Sequence, residues 1–325
     1  MTRNFFLIVL SIAFFFQGCN NPKTTSTERE LKLWYDKPAE EWVEALPIGN
    51  GRLGAMVFGG AETERIQLNE ESVWTGGPIE RANPEALENL YKVRQLLFEG
   101  KYAEGDRLAQ EKIMGTRIDG GKHTYQTLGD LFLEFEGLGE ISNYKRELDL
   151  RKAISTTTFE SDGVNYTREV FASAPDQVIV MKISASEKEK LNFTTWLERP
   201  GDAEVVSASD NQILMTGFAQ FENRGTRFAS VVNVKNTGGQ LIAADGKITI
   251  KNADEVILMV SGRTNYWGDH ETGKAAEDIG KVEQTAFEKL KENHISDYQT
   301  LFNRVDLALN APDTLKIPTN ERLER

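Results

Sequence analysis

Cysteine and histidine are both scarce in this chain. Cys19 is the only cysteine among 325 residues, so no disulfide can form within the chain. With no later cysteine and no Gly-x-Ser-x-Gly segment, a thiol or serine hydrolase is not indicated. The three histidines, His123, His270 and His294, lie far apart without the spacing of zinc ligands. We therefore expect no metal and no other cofactor.

Basic residues are also in deficit. The chain contains 38 Lys and Arg against 50 Asp and Glu, which gives a formal net charge of −12. No dense stripe of Lys and Arg interrupts this acidity. Nucleic acid and anionic membrane surfaces are therefore not expected as partners. An acidic surface is compatible with a neutral ligand such as a sugar.

Long hydrophobic runs are absent except at the N-terminus. Arg3 precedes an apolar run from Phe5 to Phe16, which is broken only by Ser11. This run is shorter than the roughly 20 apolar residues that cross a bilayer as a helix. Residues 1–19 are therefore predicted to be a secretory signal peptide.

The end of this run indicates how the chain is processed. Gly18 immediately before Cys19 resembles a bacterial lipoprotein signal, in which the cysteine is lipidated and becomes the first mature residue. Residues 20–30 then form a polar, flexible tether. We expect an exported, membrane-anchored bacterial lipoprotein, periplasmic or on the cell surface, that contacts the membrane only through its lipid. The alternative is an ordinary cleaved signal with an incidental free thiol.

Short strands and turns dominate from residue 31 to about residue 265. Asp162-Gly163 and Asp245-Gly246 are hairpin turn signals. Before these turns, residues 87–97 and 101–114 show helical spacing or composition, which predicts a small helical insertion. Many short strands joined by turns predict a mainly β fold, an antiparallel β-sandwich, rather than a parallel sheet. The alternating segments are 131–135, 154–159, 164–171, 177–183, 191–196, 227–234 and 256–260.

The C-terminal part is predicted to be helical. We expect a β-sandwich domain over 31–272 and a helical linker over 273–325. The linker is predicted to contain one helix with Val282, Ala286 and Leu290 and a second with Tyr298, Leu301 and Phe302. A brief strand at Val305, Leu307 and Leu309 is predicted to follow. The last predicted element is a helix capped by Thr319 or Asn320.

A glycine-rich segment at 49–54 matches the dinucleotide-binding pattern G-x-G-x-x-G. That pattern must open a helix, whereas residues 55–60 are apolar, favour a strand and end in Gly59-Gly60. We interpret the glycines at 49, 51 and 54 as turn residues that permit positive φ.

Two pairs of neighbouring carboxylates, Glu134 with Glu136 and Glu70 with Glu71, are candidates for the acid and base of a glycoside hydrolase. Glu134 and Glu136 share one strand face about 6.6 Å apart, close to the separation of an inverting acid and base. Because the residues between and before them are apolar, we interpret the two acids as the solvent face of a half-buried strand. Glu70 and Glu71 are adjacent and point to opposite faces, so they form no pair.

A loop at His123 carries a histidine, an aromatic ring at Tyr125 and the amide of Gln126. Such a loop could contact a sugar, and ordinary loop packing is the alternative. His294 is expected to be a surface or junction residue.

Several segments, spread over nearly the whole mature chain, form one recognisable set. They are LWYDKPA (33–39) with Trp42, ALPIGNGRLGAM (45–56), LNEESVWTGGP (68–78), YQTLGDL (125–131), and the linker residues His294, Asp297 to Gln299, Leu301-Phe302 and Arg304-Val305. Together these segments resemble glycoside hydrolase family 95, the α-L-fucosidases. Thr127 stands where the family is expected to have proline.

The resemblance implies an N-terminal β-sandwich of the super-sandwich type, a helical linker and then an (α/α)₆ barrel that houses the inverting acid and base. Residues 318–325 are similar to the segment just before the barrel, so no catalytic residue is assigned to this chain. The implied ligand is a fucosylated oligo- or polysaccharide, and the implied partner is the protein's own catalytic barrel. Alternatives are α-L-galactosidase specificity and a non-catalytic, surface-anchored carbohydrate-binding or scaffolding sandwich.

Four residues are candidates for loops that border the mouth of the barrel. They are Glu71, Trp74, His123 and Tyr125. For Trp74, burial in the fold is the favoured alternative, because large aromatic side chains are usually packed.

Overall fold

The computed structural model describes residues 31–78, 80–115, 123–307 and 316–324. The predicted signal peptide, Cys19 and the whole tether lie outside these residues, as does Leu309.

Two antiparallel sheets make up the body of the described chain, which confirms the predicted β-sandwich. Its strands are β1 (Lys32–Tyr35), β2 (Leu46–Gly49), β3 (Leu53–Val57), β4 (Thr63–Glu70), β5 (Gly129–Phe135), β6 (Ile141–Asp149), β7 (Ile154–Ser161), β8 (Val164–Ser173), β9 (Val178–Ala185), β10 (Leu191–Glu198), β11 (Ala203–Ser209), β12 (Gln212–Phe221), β13 (Arg224–Thr237), β14 (Gln240–Ala244), β15 (Lys247–Ala253) and β16 (Glu255–Thr264). Within the described residues, the larger sheet has the order β1-β6-β7-β8-β9-β16-β13-β12-β11, and the smaller β14-β15-β10-β5-β4-β3-β2.

Alternation along the strands explains how the sheets face each other. In β10, Phe193, Thr195 and Leu197 are buried while the residues between them are more exposed. Because side chains of a strand alternate between its two faces, one face of β10 enters the core. Phe193 pairs with Phe135 of β5, and their rings stack with centroids 4.7 Å apart.

Two central strands are apolar on both faces, for a different reason. Val178 to Met181 of β9 are all buried, as are Leu258 to Ser261 of β16. Helices cover the outer face of the larger sheet, so these strands lie between two apolar layers. The outer layer consists of Ala275, Ile279, Val282, Phe287 and Leu290, packed on Phe171, Val180 and Met259.

Five α-helices and one short 3-10 helix, Trp42–Glu44, are present in the part of the chain that the structure describes. The α-helices are α1 (Ala86–Phe98), α2 (Tyr102–Lys112), α3 (Glu271–Val282), α4 (Phe287–Phe302) and α5 (Thr319–Leu323). The first two form a hairpin between β4 and β5, which is the predicted helical insertion. The prediction for the C-terminal helices was partly wrong.

The break between helices was misplaced in the sequence interpretation. Val282 ends α3 and Ala286 is the extended N-cap of α4, so Val282, Ala286 and Leu290 do not share one helix. Leu290 lies instead on the same helix as Tyr298. The apolar spacing continues across the break because both helices cover the same sheet, and periodicity alone does not reveal an interruption.

Two further C-terminal predictions were wrong. Val305 and Leu307 are exposed and lie outside the strands of the described chain. Pro318, rather than Thr319 or Asn320, is the N-cap of α5. The Thr319 hydroxyl accepts a hydrogen bond from the Trp34 amide at 3.0 Å and is therefore committed to β1.

The predicted turns were mostly confirmed. Asp162-Gly163 joins β7 to β8 and Asp245-Gly246 joins β14 to β15, with positive φ at all four residues. In the 49–54 segment only Gly51 has positive φ, at 96°. Gly49 and Gly54 are paired with each other in β2 and β3, so their interpretation as turn residues was wrong.

Of the two positions expected for His294, surface or junction, only the surface position was wrong. The residue lies within α4, is only 3% exposed, and packs at the junction between this helix and the larger sheet. Its Nε2 lies 2.8 Å from the Lys152 carbonyl oxygen, and its ring stacks on Phe171.

No helix among the described residues combines the length and apolar character needed to cross a membrane.

Candidate functional site

An open cleft of about 980 Å³ lies at one end of the sandwich. Its walls come from segments that are remote in the chain: residues 71–78 after β4, the hairpin between β12 and β13, and residues 265–267 after β16. His123 adds to the first wall. Because antiparallel neighbours exchange ends, the C-terminal ends of β4, β12 and β16 and the start of β13 meet at this edge.

Residues 71–78 form the first wall, and the hairpin between β12 and β13 together with residues 265–267 forms the second wall. Hydrogen bonds join these two walls. Thr75 bridges to Gly225, and Trp74 bridges to Tyr125 on its other side. The Thr226 amide donates to the Trp74 carbonyl at 3.1 Å, and the Trp74 amide donates to the Thr226 hydroxyl at 2.9 Å. The loop carrying Trp74 is therefore held as an extension of the sheets.

The Trp74 ring is presented to solvent. It is 46% exposed, so the favoured interpretation of Trp74 as a packed residue was wrong. Its Nε1 donates to the Glu71 carbonyl at 3.2 Å, and its ring lies against Tyr125 with centroids 5.3 Å apart and planes inclined by 56°. One aromatic ring thus supports the other while the outer ring lines the cleft.

Tyr125 supports the cleft from behind Trp74. Its hydroxyl donates to the Asn69 side-chain oxygen and lies 3.2 Å from the Glu70 carbonyl oxygen. Partial burial raises the pKa of the Tyr125 hydroxyl above its ordinary value. Tyr125 does not itself line the cleft.

His123 packs at the rim of the cleft. Its Nδ1 accepts a hydrogen bond from the Gly77 amide at 3.3 Å, which places the proton of the neutral ring on Nε2. The ring meets Phe221 edge to face, with centroids 5.8 Å apart. Gly76, at φ 78°, leaves the space that this imidazole occupies.

Glu70 and Glu71 diverge as the sequence predicted. Glu70 is 2% exposed, whereas Glu71 is exposed and lines the cleft. The Glu70 carboxylate accepts from the Ser72 amide at 2.8 Å and from the Ser72 hydroxyl at 2.7 Å. Since that hydroxyl proton is committed to Glu70, Thr264 donates to Ser72, at 2.5 Å. The chain of hydrogen bonds connects the two walls.

A buried charge cluster lies at this end of the fold. Arg52 lies 3.6 Å from Glu70 and 4.0 Å from Asp278 of α3. Arg263 makes a bidentate contact with Asp278, at 2.7 and 3.1 Å. Burial, and then the proximity of Arg263, lower the pKa of Arg52 from its ordinary value. The cluster fixes α3 to the strand that precedes the second wall.

Sequence reasoning did not identify the second wall. It contains Tyr266 and Trp267, which are 59% and 74% exposed, together with Arg224 and Arg227. The available signal was a pair of aromatic residues directly after the last predicted strand, followed by Gly268. Nothing in the local sequence relates that pair to Trp74, almost two hundred positions earlier.

The chemistry of the cleft follows from its lining. Glu71 is the only carboxylate among the described residues that line it. Glu134 lies on the exposed face of β5, with Leu133 and Phe135 buried, as predicted. Among the described residues, no three His, Cys, Asp or Glu side chains form a group that could hold a metal. The cleft offers aromatic faces and hydrogen-bonding groups, which are features of a binding site.

Comparison with protein families supplies the next observation. The profile described as glycosyl hydrolase family 65, N-terminal domain, matches residues 33–269. The chain belongs to this family. The match covers the sandwich from β1 through β16. The resemblance to family 95 is therefore confirmed: the chain is an N-terminal glycoside hydrolase domain related to α-L-fucosidases.

Two curated relatives extend this result. The chain is 34% identical over 324 residues to "Alpha-L-fucosidase 2" of Arabidopsis thaliana, covering 88% of this chain and 37% of the relative. It is 30% identical over 322 residues to "Probable alpha-fucosidase A" of Aspergillus niger, covering 90% of this chain and 39% of the relative. The chain thus spans well under half the length of these proteins.

The fold also occurs among solved structures. A protein described as "Putative kojibiose phosphorylase from human microbiome" superimposes with a TM-score of 0.50 and 10% identity. The match covers 84% of this chain and 39% of that one. At this identity the likeness concerns the fold alone.

Proposed function

We propose that this glycoside hydrolase domain is the N-terminal part of an exported, lipid-anchored α-L-fucosidase that acts on fucosylated oligo- or polysaccharides with inversion. The supporting observation is that curated relatives matching 88% and 90% of the chain are described as α-fucosidases. The motif-rich segment 68–78 supports the same proposal, because it forms one wall of the cleft.

In this proposal the cleft binds part of the glycan. The exposed face of Trp74 suits the apolar face of a sugar ring, while Glu71 and the Nε2 proton of His123 suit hydroxyl groups. Tyr125 acts indirectly by supporting Trp74. Because the cleft is open to solvent, a long glycan can extend beyond it.

The acid and base of the reaction are proposed to lie elsewhere. Inverting hydrolysis needs two carboxyl groups about 6.5–9.5 Å apart, one to protonate the leaving oxygen and one to activate water. Glu71 has no carboxylate opposite it among the described lining residues. We propose that a helical barrel of the same protein supplies both groups, and that this chain alone is inactive.

Enzymatic assay tests this proposal. We expect the isolated chain to release no fucose from an aryl α-L-fucoside above a heat-treated control. The product of the complete reading frame is expected to release it, with β-L-fucose as the first anomer seen by NMR.

Each other outcome of this assay has a distinct meaning. Clear turnover by the isolated chain would show that its own residues catalyse the reaction. Preference of the complete product for an aryl α-L-galactoside would establish the other sugar specificity. A reading frame that ends without a barrel would favour a non-catalytic, surface-anchored binding domain.

A further inference from the structure

Three arginines line the cleft of an acidic protein. The chain has a formal net charge of −12, yet the described lining residues include Arg81, Arg224 and Arg227 against the single carboxylate of Glu71. The local charge therefore has the opposite sign to that of the whole molecule. Such a reversal concentrates positive potential where a ligand enters.

These arginines differ from the others near this end of the fold. Arg52 and Arg263 are in contact with buried carboxylates, and Arg199 makes an ion pair with Asp202 at 2.6 Å. Within the described chain, the three guanidinium groups of the cleft form no ion pair with a carboxylate. All three of these residues are exposed.

Contacts with the protein define the positions of two of them, Arg224 and Arg227. Arg224 donates from Nη2 to the Pro78 carbonyl at 2.7 Å, which connects the two walls. The Arg227 guanidinium lies over the Phe218 ring, 5.0 Å from its centroid. A guanidinium held in this way loses less side-chain entropy when it binds a ligand than a freely rotating one.

The combination of guanidinium groups and aromatic faces indicates a type of ligand. A planar guanidinium donates two parallel hydrogen bonds to a carboxylate or a sulfate. Binding of a neutral sugar hydroxyl does not require a charged protein group. Trp74 and Trp267 offer the faces on which a sugar ring can stack.

We propose that the cleft binds an anionic unit of the glycan, a sugar that carries a carboxylate or a sulfate ester. This inference rests on the proposed glycan-binding function and specifies its substrate class as acidic fucosylated glycans. The arginines recognise the anionic group while the aromatic side chains hold the ring that bears it.

Calorimetric titration of the chain with matched oligosaccharides tests this inference. One pair is a fucosylated oligosaccharide containing glucuronic acid and its carboxyl-reduced counterpart. The other is a sulfated fuco-oligosaccharide and its desulfated counterpart. At least one anionic member is expected to bind about tenfold more tightly than its neutral partner, and the pair that shows this identifies the group recognised.

Variants separate the arginines from the aromatic rings. Arg81→Gln and Arg227→Gln should each weaken the anionic ligand severalfold and leave the neutral ligand unchanged, whereas Arg94→Gln, exposed on α1, should affect neither. Trp74→Ala should weaken both ligands, with the exposed Trp42→Ala as its control. Arg224 is left intact because its guanidinium holds Pro78.

Two results would contradict the inference in distinguishable ways. Equal binding of charged and neutral members would refute the anionic preference and leave the glycan-binding role intact. Failure of every oligosaccharide to bind would remove the glycan-binding role of the cleft as well.

Discussion

At the scale of single residues, the shape of the cleft depends on a side chain that is missing. Gly76 has φ 78°, and a Cβ at this position would lie 1.8 Å from His123 Nδ1. Its amide also donates to the Arg224 carbonyl at 2.8 Å. Only glycine satisfies the backbone conformation and the close approach of the imidazole together.

Gly76→Ala is therefore expected to displace His123 and to destabilise the protein by about 1–3 kcal/mol. Gly51→Ala is the matched control, because Gly51 has φ 96° but no atom within 4 Å of a Cβ. Urea denaturation should show the larger loss for Gly76→Ala. Equal losses would mean that backbone strain, and not the contact with His123, governs the position.

Sequence spacing predicted the orientations of Glu70 and Glu71 but not the exposure of Trp74. The opposite orientations of Glu70 and Glu71 follow from their adjacency in the sequence, and the structure has one buried and one exposed. The exposure of Trp74 depends on Thr226 and Tyr125, which hold its loop from other strands. No local pattern contains that information.

At the scale of elements, α4 is attached to the larger sheet through His294. The ring is stacked on Phe171 with centroids 4.8 Å apart, and Nε2 faces the Lys152 carbonyl. Two further bonds of α4 go to the same connection, from Tyr298 to the Leu150 carbonyl and from Gln299 to the Arg151 carbonyl. Burial lowers the pKa of His294 below its ordinary value.

This pKa predicts a pH-dependent attachment. The folded state takes up a proton at His294 less readily than the unfolded state, so the neutral ring stabilises the fold fully above about pH 6.5 and progressively less below it. His294→Gln should cost about 1–3 kcal/mol at pH 7.5. In urea denaturation the difference from wild type should narrow at pH 5.5.

Tyr298→Phe provides the control for this experiment. It removes another hydrogen bond of α4 to the same connection, the one to the Leu150 carbonyl, and keeps the ring that lies beside His294. Because the Tyr298 pKa is raised from its ordinary value, the hydroxyl stays neutral over this range, and the difference from wild type should be the same at pH 7.5 and pH 5.5. A constant difference between His294→Gln and wild type across this pH range would contradict the assignment.

At the scale of the whole molecule, a buried ion pair connects the two sheets. Arg168 of β8 in the larger sheet lies 3.2 Å from Glu64 of β4 in the smaller one, and both residues are almost fully buried. The guanidinium also donates to the Ala61 carbonyl at 2.5 Å and stacks near Phe135, 4.3 Å from the ring centroid. Glu64 accepts from the Gly59 amide at 2.8 Å.

Replacing one member of the Arg168–Glu64 ion pair should destabilise the protein more than replacing both. Arg168→Met leaves the Glu64 carboxylate buried without its counter-ion and is expected to cost about 3–5 kcal/mol. The double variant Arg168→Met with Glu64→Leu should recover part of this loss, because no unpaired charge remains. Urea denaturation of both single variants and the double variant gives the coupling energy. Additive losses would show that the pair does not couple the sheets.

The amino-acid sequence by itself determined the class of fold, most strand positions, both hairpin turns and the family resemblance. Alternation and turn chemistry act over a few residues, so they can be read locally. The tertiary structure alone decided the break between α3 and α4, the burial of His294 and the composition of the cleft. These features depend on which strands pair, and the pairing brings Ser72 beside Thr264 across 192 positions of the chain. Contacts of that range are selected by the packing of the whole core, and no short segment encodes them.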